Sequence, residues 1–208
     1  MRYSVERHAS RPISVNGLML KQLPIKRQGA TEFTFSRFLV PHLSEFQGYS
    51  MFADEDMVVR GDIHELFDYV ANDKQHDVWV VKDQERFEWP SVMVFNNERL
   101  KHLTPEFIDD ESNVLFDFAW IESVGGLPGE WNHCVAMKPS RLDAKLYHWT
   151  QGIPYWPECR GFPEDKYWFE EYEAMVKSVK WVELHHNTKH FKPVMKRMLE
   201  TQYGVRIG

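Results

Sequence analysis

The chain has 208 residues, 43% of them hydrophobic and 27% charged, a composition that fits one folded domain with additions and excludes a disordered or low-complexity chain. Its 31 acidic residues outnumber 25 basic ones, and the net charge of −6 argues against a nucleic-acid binder, which carries a basic excess. Two cysteines, Cys134 and Cys159, cannot build a secreted disulfide framework or a CxxC metal motif, and no apolar run approaches the ~20 residues of a membrane helix, so a cytoplasmic protein without a transmembrane segment is expected.

The opening residues, Met1–His8, lack the apolar core of a signal peptide. Val15 to Leu23 reads as a short strand with Asn16-Gly17 as a turn. Thr31-Glu32 opens a helical stretch in which Phe35, Phe38, Leu39 and Leu43 follow a 3.6-residue period, with Pro41 bending it. Tyr49 to Ala53 is an apolar strand that ends on Asp54-Glu55-Asp56. Asp62, with Glu65 three residues on, forms an N-cap box before Leu66, Phe67 and Val70. Val78–Val81, Ser91–Phe95 and Lys145–Trp149 read as further strands, and Thr104-Pro105 as a helix start. Trp168, Tyr172, Met175 and Val179 line one face of a late helix. Strands alternating with helices predict an α/β fold with a largely parallel sheet.

Ligands of open α/β sheets bind beyond the carboxyl ends of the strands, and Asp54 and Asp56 stand at such an end. In an extended segment residues i and i+2 point the same way, so the two carboxylates could share a hard cation such as magnesium or manganese. The alternative is a solvated acidic turn or a helix cap. A cation at this place suits a nucleotide diphosphate, because it bridges phosphate oxygens and neutralises charge on a leaving group.

Several blocks in order resemble a bacterial and phage group of GT-A glycosyltransferases similar to glycosyltransferase family eight. They are Thr31 to Leu43, Tyr49 to Phe52 with Asp54-Glu55-Asp56, Gly61 to Phe67, Trp89 to Asn96, Gly126 to Asn132, and Tyr147 to Trp156. The resemblance covers about residues 1 to 160. It implies a Rossmann-like GT-A fold, a mostly parallel mixed sheet flanked by helices, in a single domain over 1–208 with a helical extension over 161–208. It also implies a nucleotide-sugar donor, usually a UDP-sugar, an Mn2+ or Mg2+ ion, and a glycan, lipid or protein acceptor.

Residue by residue, Asp54 and Asp56 match the metal motif and count as catalytic, and His148 matches the late histidine that completes the metal shell. Arg37 matches an arginine lying against the donor, and Gly152 and Trp156 match the loop that closes on the diphosphate. Ser91, at the head of its strand block, falls among the substrate-binding positions. Trp131 and Asn132 border the sugar or acceptor site, or Trp131 is simply a buried ring. Glu122 falls near an acidic position facing the sugar, or is an exposed loop carboxylate. Retention of anomeric configuration is implied by the resemblance only.

The chain departs from the family in three places. The family's opening strand with its Tyr-Asp motif has no counterpart, Tyr3 to Arg11 matching the helix that follows it, so either an exposed gap beside the strand ending at Asp54 or its coverage by another segment, a partner chain or a second copy is expected. Ile153-Pro154-Tyr155 lacks the family's phosphate-binding lysine, and the region from Val81 to Trp89 is short. Competing readings are a non-catalytic sugar-nucleotide-binding remnant and a sugar-nucleotide hydrolase or nucleotidyltransferase using the same metal site. His186 and His190, at helical spacing beside His185, lack the His-Glu-x-x-His pattern of a zinc protease and read as a polar tail.

Overall fold

A computed structural model describes residues 1–31, 33–82 and 86–178. The chain divides into Met1–Trp168, which holds every described strand, and Phe169–Gly208, whose described part is the second half of a helix. The expected extension over 161–208 thus begins earlier than this division. The α-helices are α1 (Arg2–His8), α2 (Val40–Leu43), α3 (His64–Asn72), α4 (Pro105–Asp109) and α5 (Asp165–Ser178). The strands are β1 (Tyr49–Ala53), β2 (Met57–Val59), β3 (Val78–Val80), β4 (Val92–Asn96), β5 (Val124–Gly126), β6 (His133–Cys134) and β7 (Leu146–His148).

The strands form two mixed sheets, in the orders β1-β4-β3-β5 and β2-β7-β6. β4 runs antiparallel to both β1 and β3, and β2 antiparallel to β7, while the β3–β5 and β6–β7 pairs are parallel. The α/β class and the mixed sheet are therefore as expected, but the mostly parallel pairing is corrected: antiparallel pairs outnumber parallel ones. The stretch from Val81 to Ser91 is shorter than the dozen or more residues that a parallel crossover needs, so β4 returns beside β3 in the opposite direction. β1 is an outer strand, half-buried along its length.

Alternation along β3 and β4 builds two cores. Trp79, Val81, Val92 and Val94 pack with Leu66 and Val70 of α3 and Val5 of α1. Val78, Val80, Met93 and Phe95 face the other way, against Phe38, Leu39, Leu100 and Ile108. Burial on both faces is why these strands read as unbroken apolar runs. Met57, Val59 and Leu146 of the second sheet join the first core, while Val58, Tyr147 and Trp149 pack on Tyr167 and Trp168 behind it.

Local chemistry adjusts several boundaries. Val15 to Leu23 forms no strand and holds instead a 3-10 turn over Leu20–Gln22. The stretch beginning at Thr31 becomes a 3-10 turn at Ser36–Leu39 and then α2, in whose first turn Pro41 sits, where its missing N–H costs nothing. Asp62 stands one residue before the N-cap of α3, and its Oδ1 accepts the N–H groups of both His64 and Ser10, each at 3.1 Å, tying the N-terminal segment to the helix. Thr104 caps α4 as expected, its hydroxyl accepting from the Phe107 N–H. The late helix matches at Trp168, Tyr172 and Met175, whereas Val179 lies outside the described residues.

Gly125 sits directly opposite Trp79 in the β3–β5 ladder, and a Cβ there would lie 2.2 Å from Trp79 Cδ1. The indole is fully buried and donates to Asp73 Oδ2 at 3.1 Å, so it has little room to yield. Gly125→Ala is expected to destabilise the fold by about 1–3 kcal/mol in urea titration. Gly126→Ala, whose Cβ would meet only the Lys82 side chain at 3.8 Å, should stay within about 0.5 kcal/mol of wild type.

Candidate functional site

The turn Asp54-Glu55-Asp56 carries the chain from the first sheet into the second. The Asp54 N–H donates to the Ser91 carbonyl at 3.1 Å, extending the β1–β4 ladder by one residue. The Trp149 N–H donates to the Asp56 carbonyl at 3.1 Å, and the next residue, Met57, pairs with His148. Backbone register alone therefore brings His148 to the acidic turn. Because β1 and β3 both oppose β4, and β5 parallels β3, the carboxyl ends of β1, β3 and β5 share the sheet end at which Asp54 stands.

His148 is 3% exposed, and its Nε2 lies 3.2 Å from Asp56 Oδ1. This contact lacks hydrogen-bond alignment, and the buried Oδ1 atom has no hydrogen-bond partner among the described residues. Two donor atoms held at 2.0–2.2 Å from one cation and subtending a right angle stand about 3 Å apart, so this pair fits a shared ion. On the other side of the ring, Nδ1 faces Asn132 Oδ1 at 3.2 Å, Glu88 Oε2 at 3.8 Å and Cys134 Sγ at 3.9 Å. Glu88, Cys134 and His148 are all buried, with donor atoms within 4.8 Å of one another, and together could hold a metal ion.

Arg37 completes the cluster. Its Nη2 donates to Asp54 Oδ1 at 3.4 Å and its Nη1 to the Pro90 carbonyl at 3.0 Å, while the guanidinium lies 4.9 Å over the Phe52 ring. Burial lowers the Arg37 pKa, opposed by the carboxylates of Asp54, Glu88 and Asp56. Burial raises the Asp54 pKa above the usual aspartate range; Arg37, His148 and the Ser91 hydroxyl pull it down and Asp56 pushes it up. Ser91 also donates its hydroxyl to Glu88 Oε2 at 2.9 Å.

The structure thus gathers Arg37, Asp54, Asp56, Ser91, Asn132 and His148. Trp131, two per cent exposed, is a core residue with the Lys145 ammonium 5.6 Å from its ring centre, so of the two readings open for it the buried ring holds. Gly152 follows β7 with φ +116°, where a Cβ would lie 2.6 Å from Cys159 Sγ. Trp156 is 54% exposed beyond it, edge-on to Tyr155.

Glu122 is not brought to this cluster. It precedes β5, at the sheet end remote from Asp54; its side chain is 91% exposed, and its N–H donates to Asp77 Oδ2 at 2.9 Å. Two shallow cavities of ≈390 and ≈420 Å3 also open at that remote end, one beside Tyr49 and Asn96, the other beside Asp77, Arg99 and Glu122.

Sequence reasoning missed Glu88 and gave Cys134 no role. Glu88 stands just ahead of β4, and the antiparallel pairing of β4 with β1, which the sequence does not reveal, sets it beside the end of β1. His185, His186 and His190 lie outside the described residues.

Removing the cation of the Arg37–Asp54 pair leaves a poorly hydrated carboxylate. Arg37→Met is expected to cost about 3 kcal/mol at neutral pH in metal-free buffer. Because the raised pKa means that folded Asp54 binds its proton more tightly than unfolded Asp54, falling pH favours the fold. The deficit of the variant should therefore shrink as pH drops through the raised value toward the ordinary aspartate pKa of about 3.9, as read by urea titration at stepped pH.

Comparison with known proteins gives one relative to report. Protein CDI of Arabidopsis thaliana is 29% identical to the chain over 197 residues, covering 76% of this chain and 74% of that protein. No known-family profile and no solved structure matches the chain.

Proposed function

We propose that the chain is a metal-dependent glycosyltransferase of GT-A type that moves a sugar from a nucleotide-sugar donor, a UDP-sugar, to a glycan, lipid or protein acceptor. The observation that carries this reading is the meeting of Asp56 with His148 beside Asp54 and Arg37, at the carboxyl ends of the sheet strands. Three carboxylates, Asp54, Asp56 and Glu88, surround a single guanidinium, so the cluster favours a further cation. Asp56 and His148 would hold Mn2+ or Mg2+, with Asp54 beside them. When bound, the ion acts as a Lewis acid toward the departing nucleotide diphosphate.

The rest of the work falls to the chain itself. Asn132 accepts from His148 Nδ1–H, which leaves the Nε2 lone pair turned toward Asp56. Arg37 braces Asp54, and its Nε–H, buried and without a hydrogen-bond partner among the described residues, is kept for a donor oxygen. Gly152, in a conformation favourable only to glycine, lets the chain turn sharply after β7.

Asp56→Asn is expected to abolish manganese-dependent UDP binding in calorimetry with little change in thermal stability; unchanged affinity would count against the site. Arg37→Lys keeps the charge and loses the fork, and should lower transfer at least about tenfold, the effect of one charge-assisted hydrogen bond of roughly 1.5–3 kcal/mol. The assay follows nucleotide release from a panel of nucleotide sugars with manganese, with and without acceptors. Release that no acceptor accelerates favours the hydrolase, and no release from any donor favours the binding module.

A further inference from the structure

We propose that Glu88, Cys134 and His148 form a second cation site, selective for thiophilic divalent ions such as Zn2+, and that it shares His148 with the aspartate site so that the two cannot be loaded together. The sharing rests on the function proposed above; the thiolate site does not.

The geometry comes from strand register. In the parallel β6–β7 pair Cys134 stands opposite His148, which sets Sγ 3.9 Å from the imidazole Nδ1. Glu88 Oε2 lies 3.8 Å from the same nitrogen, fixed by the Ser91 hydroxyl at 2.9 Å. Tetrahedral zinc, with bonds of about 2.0–2.3 Å, spaces its donor atoms roughly 3.3–3.6 Å apart, so these three reach it by small side-chain rotations. All three side chains are buried. The donor sets differ in kind: a thiolate with an imidazole selects zinc, whereas carboxylates with one imidazole suit manganese or magnesium.

The two sites use opposite edges of one ring, Nδ1 toward Cys134 and Glu88 and Nε2 toward Asp56. A neutral imidazole has one lone pair and one N–H. With the proton on Nδ1, facing Asn132 Oδ1, the lone pair serves the aspartate side. Zinc on Nδ1 moves the ring proton to Nε2 and closes that nitrogen to the second ion. The Cys134 thiol gives up its proton to solvent, so one proton is released for each zinc ion bound. Zinc loading thereby withdraws His148 from the manganese site.

The test uses the full chain, stripped of metal. One equivalent of Co2+ should give a thiolate-to-metal charge-transfer band in the near ultraviolet. The band should vanish in Cys134→Ser and Cys134→Ala, each checked for folding by circular dichroism, and persist in Asp56→Asn and Cys159→Ser. No band in wild type, or a band that survives loss of Cys134, overturns the site. Bound Mn2+, followed by paramagnetic resonance, should be released from wild type by about one equivalent of Zn2+, while Cys134→Ser should need at least about tenfold more. Equal sensitivity of the two proteins overturns the sharing. A cobalt band without any Mn2+ binding overturns the aspartate site, and with it the sharing, while the thiolate site stands.

Discussion

The hydrogen bond from the Trp149 N–H to the Asp56 carbonyl, and the β2–β7 ladder that follows from it, is the constraint on which the site depends. It fixes the register at which Met57 meets His148, and a slip of one residue would turn the imidazole to the opposite face of the sheet. The side chains of Asp56 and His148 need no attraction of their own to meet. They meet because backbone pairing leaves them nowhere else to be, which frees Asp56 Oδ1 to remain without a hydrogen bond.

A buried cluster of charge assembled in this way has to be balanced. Arg37 is the balancing cation for Asp54, and its guanidinium is itself held by the Pro90 carbonyl and the Phe52 ring. Burial nevertheless prevails at Asp54, whose pKa is raised although Arg37 and His148 draw it down. Carboxylates outnumber the guanidinium around the turn, and the donor atoms differ in kind on the two sides of His148, with a carboxylate at Nε2 and a thiol and a carboxylate at Nδ1.

Much of this could be read from the sequence. β1, β4 and β7 are apolar runs with clear ends, and the acidic turn follows β1 directly, so Asp54 and Asp56 were visible as a strand-end pair. The meeting of Asp56 with His148 was legible only through resemblance, since it rests on pairing between distant segments. β2, β5 and β6 escaped notice because two or three residues carry too little period to separate a strand from a loop. Glu122 was misplaced for a topological reason: without knowing that β5 runs parallel to β3, nothing tells which end of the sheet its leading residues occupy. The direction of β4 was hidden in the same way, which is why a mostly parallel mixed sheet was expected where antiparallel pairs prevail.

The order in which the two sheets close also matters during folding. β3 and β4 are neighbours along the chain, so the centre of the first sheet can form while most of the chain is still loose. The β2–β7 pair joins Met57 to His148 and must close a far longer loop, which costs more chain entropy before any contact repays it. On this argument the meeting of Asp56 with His148 forms after the centre of the first sheet. Substitutions along β2 and β7 will govern how quickly the acidic turn and His148 come together, and substitutions in β3 and β4 whether there is a platform to receive them.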